Sequence, residues 1–102
     1  MESKKEPVFD FLSVDEKGTK KILHSQIISF LETNGFNNLF VDGQHELIRS
    51  VNGIIQKTSI LNVIDFVRTT LESNGHKDFY DVFAENPARY VGRQKLHLLK
   101  RV

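Results

Sequence analysis

The chain has 102 residues, of which 39% are hydrophobic and 26% are charged, and its formal net charge is +1. This length corresponds to one domain, large enough to bury a core without covalent or metal support. The chain contains no cysteine, which excludes a disulfide framework and a thiolate metal site. The charge is uneven, because residues 1–88 carry a net charge of −4 whereas residues 89–102 carry five cations and no acid.

The two ends of the chain bear on its location and on its boundaries. Residues 1–7 are charged and lack the apolar stretch of a signal peptide, and no apolar run reaches the roughly 20 residues of a membrane span. We therefore expect a cytoplasmic protein without membrane contact. Residues 1–7 are predicted to be a disordered tail, and residues 8–102 a single α+β domain. The last predicted helix has no stop signal, which is typical of a domain excised from a longer protein.

The first predicted elements are a hairpin and a helix. Apolar residues over 8–14 and the return over 19–23 flank a turn at 15–18. The turn contains a glycine, which supplies the positive φ that such a loop requires. An apolar stripe at helical spacing then predicts a helix over 24–34, which ends where Gly35 can adopt the left-handed conformation.

Two hairpin signals mark the centre of the chain. Asx-Gly pairs at 42–43 and 52–53 suit type I′ turns, which require positive φ at both central positions. They predict a three-stranded antiparallel meander over residues 38–58, in which Val51 pairs with Ile54 across the second turn. Neither face of this meander is cleanly polar, so either both faces are partly covered or a bulge shifts the register.

Helices are predicted for most of the remaining chain. The main helix covers residues 59–73, has its N-cap at Thr58-Ser59 and buries Phe66 in the core. A short helix capped by Asp78 follows, and a last helix begins at Arg93 and carries Leu96, Leu99 and Val102 on its apolar side. The sequence therefore predicts an α+β fold, in which a small antiparallel β meander and an N-terminal hairpin pack with three to four helices.

The chain offers little for catalysis. Its glycines stand singly, so no phosphate-binding loop is present, and no two histidines have the spacing of a helical zinc site. His76 and two nearby aspartates could converge on a metal, but helix capping and a solvated acidic face explain them better. Asp65 lies on an apolar helix either as a buried catalytic acid or, as we expect, on a polar stripe with Asn62 and Arg68 or in an i, i+3 pair with Arg68. We predict no enzymatic activity, no metal and no cofactor.

The basic C-terminal stretch has two interpretations. It favours either a nucleic-acid contact or a solvated helix end whose cations complement the helix dipole. Aromatic residues with interleaved cations are typical of single-strand binding platforms, and Phe40, His45 and Arg49 share one face of the meander. Tyr90 and its basic neighbours form a second such pattern, although core packing accounts for the aromatic residues of both. The candidate nucleic-acid-binding residues are Arg49, Arg89, Arg93, Lys95, Lys100 and Arg101.

A family resemblance adds a context. The motifs that carry it are Phe30-Leu31-Glu32-x-x-Gly35-Phe36, Val41-Asp42-Gly43, Leu47-Ile48-Arg49-x-Val51-x-x-Ile54-Ile55 and Ile64-Asp65-Phe66-Val67, with Tyr90 and Leu96-x-x-Leu99 beyond them. Over residues 19–101 the chain resembles a segment near the N-terminus of primase–helicase proteins of phages and integrated mobile elements. In those proteins a helicase of the poxvirus primase type lies downstream. This chain lacks the phosphate-binding motif of that helicase, so no ATPase residue is carried over.

Two functions follow as expectations. The resemblance implies a non-catalytic accessory domain of a phage or mobile-element DNA replication protein, which contacts single- or double-stranded DNA or positions the motor. Its partners would then be DNA and a downstream helicase domain of the same chain. The alternative is a protein–protein interaction module without nucleic-acid contact, whose exposed meander edge docks a partner strand.

Overall fold

A computed structural model describes residues 11–101. Its elements are β1 (Leu12–Val14), β2 (Lys20–Ile22), α1 (His24–Thr33), β3 (Phe36–Val41), β4 (Gln44–Val51), β5 (Ile54–Lys57), α2 (Ile60–Ser73), α3 (Lys77–Glu85), α4 (Ala88–Val91) and α5 (Arg93–Leu96). The α+β prediction is confirmed, with one two-stranded and one three-stranded antiparallel sheet. The predicted tail at residues 1–7, residues 8–10 of the predicted hairpin and Val102 lie outside the described residues.

The β1–β2 hairpin is closed by an aspartate. The Asp15 carboxylate accepts hydrogen bonds from the backbone N–H groups of Lys17 and Thr19, both at 2.9 Å. The bond from Thr19 is the main reason why the pKa of Asp15 lies below its ordinary value. A short polar side chain that bonds to the backbone ahead of it explains why the chain turns here.

The central meander forms with the predicted turns and register. Asp42 and Asn52 have φ values of 51° and 53°, and the glycine after each is also at positive φ. Val51 pairs with Ile54, as predicted, and the strand order is β3-β4-β5. The two turns are local in sequence and require residues that tolerate positive φ, which is why they could be predicted.

Both faces of the meander are partly covered. On one face, Phe36 is 1% exposed and Asn38 is 2% exposed, and on the other face Ile48 is 2% exposed. Val51 and Ile54, beside the second turn, remain exposed. The described strands pair without a break in register, so the first of the two predicted alternatives is correct and no bulge is required.

Helix α2 has the predicted cap and polar stripe. The Ser59 hydroxyl accepts a hydrogen bond from the Asn62 N–H at 3.2 Å, which satisfies one backbone donor at the helix start. The Asp65 side chain is exposed and lies 3.8 Å from the Arg68 guanidinium, which confirms their pairing. At 14 residues, α2 is the longest described helix. No helix within residues 11–101 is long and apolar enough to cross a bilayer.

A line of phenylalanine rings connects the hairpin, the helices and the meander. The ring centroids of Phe11 and Phe30 are 4.8 Å apart, those of Phe30 and Phe66 are 5.9 Å apart, and those of Phe66 and Phe36 are 5.3 Å apart. Phe66, predicted to be a core residue, packs against the buried cluster but is itself only partly buried. Its outer side is occupied by Arg49 instead of by another apolar residue.

The predicted N-cap of α3 was wrong. Asp78 does not cap α3, because the helix begins at Lys77 after His76 and places Asp78 in its first turn. A carboxylate there still complements the helix dipole, and it also lies 3.5 Å from the Lys20 ammonium group.

The predicted last helix is much shorter than expected. It ends at Leu96, after one turn, although Leu96 and Leu99 are both buried as predicted. The chain then runs beside β3, where the Asn38 N–H donates to the Lys100 carbonyl at 2.8 Å and Arg101 forms a parallel bridge with Asn38. The helix ends here because the edge of β3 offers the backbone an alternative set of hydrogen bonds.

Candidate nucleic-acid interface

The six basic residues predicted to bind nucleic acid do not form one patch. Arg49 is separate from the others, because it lies over the rings of Phe36 and Phe66, 4.8 and 4.5 Å from their centroids. Its Nε also donates to the Asn34 carbonyl at 3.1 Å. These contacts give Arg49 a structural role at the end of α1.

The second predicted pattern, around Tyr90, is divided by the fold. Tyr90 is 8% exposed and packs between the rings of His24, at 5.2 Å, and Phe83, at 6.0 Å, so it belongs to the core. Arg89 lines a groove beside His24, whereas Arg93 lines a different cavity. The predicted aromatic–basic pattern in this stretch is therefore not a surface platform.

The backbone of Lys100 is tied down on both sides. Its N–H donates to the Glu32 carboxylate at 2.8 Å, and its carbonyl accepts from Asn38. The side chain is exposed. This anchoring fixes the position of the neighbouring Arg101, which is part of the predicted set.

The structure instead assembles a different group of exposed side chains, which we call the aromatic–basic surface: Phe40, His45, Arg93, His97 and Arg101. The turn at 42–43 generates its first two members, because it pairs Phe40 with His45 one position beyond the turn. In a two-residue hairpin this second pair exchanges no backbone hydrogen bonds, and the side chains of such pairs lie close together. The two rings meet edge to face, with centroids 5.0 Å apart.

Residues from the end of the chain complete this surface. The His97 ring stacks on His45 with a centroid distance of 5.0 Å and an interplanar angle of 28°. The Arg101 guanidinium carbon lies 5.6 Å from the centroid of Phe40. Asn38 holds both residues in place, because its side-chain amide donates to the carbonyls of Leu96 and Leu99 at 3.0 and 3.1 Å.

A small cavity of about 200 Å³ opens beside the stacked histidines. Its wall includes His45, Arg93 and His97, together with the buried Asn38 and the Ser59 cap of α2. Among the described residues, Arg93 forms no ion pair with a carboxylate. The guanidinium is therefore available to an anion beside the rings.

This arrangement suits a planar, anionic ligand. Phe40 is 48% exposed, so its ring is accessible from solvent. Arg101 lies beside Phe40, and Arg93 lines the cavity beside the two histidines. Within residues 11–101 no three His, Cys, Asp or Glu side chains converge on a possible metal position. Stacking and phosphate contact are the interactions that these side chains can provide.

The sequence interpretation included Phe40, His45, Arg93 and Arg101 but missed His97. No spacing rule points to His97, because its stacking partner lies on β4, far away along the chain. The expectation that the C-terminal segment continues as a helix also gave no reason to place His97 against the meander. Comparison with protein-family models, with curated proteins and with solved structures gave no match.

Proposed function

We propose that this chain is a non-catalytic nucleic-acid-binding domain that holds single-stranded DNA on the aromatic–basic surface. The observation that carries the proposal is the row of exposed rings formed by Phe40, His45 and His97, with Arg93 and Arg101 beside it. Bases stack on aromatic side chains regardless of sequence, and arginines pair with the backbone phosphates. Stacking needs bases that are not paired, which is why we propose a single strand.

The biological context is part of the same proposal. The resemblance of residues 19–101 to a segment of primase–helicase proteins supports a role as an accessory domain in replication of a phage or mobile element. In this role the domain would bind the DNA strand near a helicase motor downstream in the same polypeptide. Contact with a single strand is what such a position requires.

The experiment is a titration of a labelled single-stranded oligonucleotide, followed by fluorescence anisotropy at about 50 mM salt. We expect Phe40→Ala to weaken binding by about fivefold or more, which corresponds to the lower end of the stacking free energy per base. Phe40 is half-exposed, so its loss leaves the core intact. The matched control is Lys77→Gln, which removes one exposed cation of α3 outside the aromatic–basic surface and should leave binding unchanged.

Two results would contradict the proposal. One is equal loss of affinity in Phe40→Ala and Lys77→Gln, because binding would then follow general charge. The other is equal affinity for a duplex of the same sequence, since paired bases cannot stack on the rings. Absence of binding at high micromolar protein would reject nucleic-acid binding altogether.

A second candidate function is supported by a different surface. Strand β5 lies at the edge of the meander, all four of its residues are exposed, and Ile54 and Ile55 are 61% and 57% exposed. An apolar edge strand can accept a partner strand through backbone hydrogen bonds. If oligonucleotides do not bind and Ile55→Lys abolishes self-association or partner binding in sedimentation experiments, the interaction module takes the place of the first proposal.

A further inference from the structure

A second concave surface lies away from the aromatic–basic surface. This groove has a volume of about 1210 Å³ and is bounded by β2, the first turn of α1, the end of α3 and α4. Its charged and aromatic lining consists of Lys20, Lys21, His24, Glu85, Arg89 and Tyr90. Cations therefore outnumber acids on its walls.

The two lysines of the groove have carboxylate partners, but the arginine does not. Lys20 lies 3.5 Å from Asp78, and Lys21 lies 3.7 Å from Asp15. All four side chains are at least partly exposed, so these pairs are weak and leave the lysines able to attract an anion. Within the described part of the chain, Arg89 forms no ion pair.

His24 lies in the wall of this groove. Its ring stacks on Tyr90, and its Nδ1 is buried without a hydrogen-bond partner among the described residues. Burial lowers the pKa of His24, and the positive charges of Lys95 and Arg89 lower it further. Burial is the main cause of this shift, which favours the neutral imidazole.

We propose that this groove binds a phosphate group through Arg89, with Lys20 and Lys21 at its rim. A dianion placed here would offset the three cations of the lining, and the arginine fork matches the geometry of phosphate oxygens. The group could belong to a phosphorylated small molecule or to the end of a nucleic-acid strand, which share this chemistry. The proposal is independent of the aromatic–basic surface.

The test uses ¹⁵N-labelled protein titrated with inorganic phosphate at pH 7 and constant ionic strength. We expect amide shifts confined to residues 20–26 and 82–90, together with a shift of the His24 ring resonances. The variant Arg89→Gln/Lys20→Gln should weaken binding about tenfold, the loss of two partly exposed charge pairs. The matched control Lys77→Gln removes an exposed cation that lines neither cavity and should bind phosphate like the unmodified chain.

Further titrations identify the molecule that carries the phosphate, and they include the results that would overturn the proposal. A nucleoside 5′-monophosphate that binds at least tenfold more tightly than phosphate, while its unphosphorylated nucleoside does not bind, indicates a small-molecule ligand. An oligonucleotide that needs its 5′-phosphate to shift His24 indicates a strand end. Absence of phosphate-dependent shifts at millimolar concentration, or equal binding by the Arg89→Gln/Lys20→Gln variant, would overturn the proposal. Because Phe40→Ala leaves this groove unchanged, failure here is distinguishable from failure of single-strand binding.

Discussion

At the residue scale, Asn38 links the core to the candidate interface. It is 2% exposed, and its side-chain amide donates to two carbonyl groups, those of Leu96 and Leu99. Its backbone N–H also donates to Lys100. One buried side chain thus donates to backbone carbonyl groups at the end of α5 and just beyond it, and it positions the segment that carries His97 and Arg101.

Replacement of Asn38 by aspartate tests this role. The variant keeps the shape but places carboxylate oxygens against the carbonyl oxygens of Leu96 and Leu99, so neither bond can form. We expect the free energy of unfolding to fall by at least about 1–3 kcal/mol, since buried polar groups lose their partners. Urea melts provide the measurement.

The neighbouring Asn37→Asp is the matched control for Asn38→Asp. Asn37 is only partly buried and lies on the opposite face of the meander, so its replacement should change stability by less than about 0.5 kcal/mol. A similar loss in both variants would mean that Asn38 does not anchor the C-terminal segment.

At the element scale, two helices end on the same dipeptide in different surroundings. Gly35 after α1 and Gly75 after α2 both follow an asparagine, and their φ values are 93° and 77°. A Cβ at Gly35 would overlap the carbonyl oxygen of Ser50, whereas a Cβ at Gly75 would meet open space. The first glycine thus serves both the helix end and the close approach of β4.

This difference predicts two unequal alanine substitutions. Gly75→Ala should cost only the strain of a left-handed residue, about 1–2 kcal/mol. Gly35→Ala adds overlap with the backbone of Ser50, which is worth about 1–3 kcal/mol more. Thermal or urea unfolding of both variants gives the comparison. Equal losses would show that β4 moves away from Gly35 at no cost.

The elements differ in how well the sequence predicted them. Turns 42–43 and 52–53, the Ser59 cap and the end of α1 depend on residues within a few positions, and all were predicted correctly. The end of α5 depends on Asn38, which lies far away along the chain, and the predicted length of this helix was wrong. Local hydrogen bonding can be inferred from spacing, but a competition with a distant strand edge cannot.

At the scale of the whole molecule, the fold divides the basic C-terminal stretch between two surfaces. Arg93 and Arg101 join the rings of the meander, whereas Arg89 lies beside His24 in the groove. The sequence predicted the charge excess and most of the residues but not this division. Arg89 and Arg93 are four positions apart, on two single-turn helices that Gly92 separates, and they line different cavities. No linear pattern in the sequence shows this.

This division sets the salt dependence of single-strand binding. Each phosphate contact contributes about −0.7 to the slope of log affinity against log salt on a single strand. If only Arg93 and Arg101 contact phosphates, the slope is about −1.4, whereas contact by all five C-terminal cations gives about −3.5. Oligonucleotide titrations between about 50 and 200 mM salt distinguish these values.

Variants assign the slope to residues. Arg93→Gln and Arg101→Gln should each reduce its magnitude by about 0.7, because each removes one phosphate contact, while Lys100→Gln should leave it unchanged. Phe40→Ala should lower the affinity at every salt concentration without altering the slope, since stacking releases no counterions. A slope near −3.5 that falls with every cation removed would instead mean that the strand follows the whole basic stretch, and the aromatic–basic surface would lose its role as the binding platform.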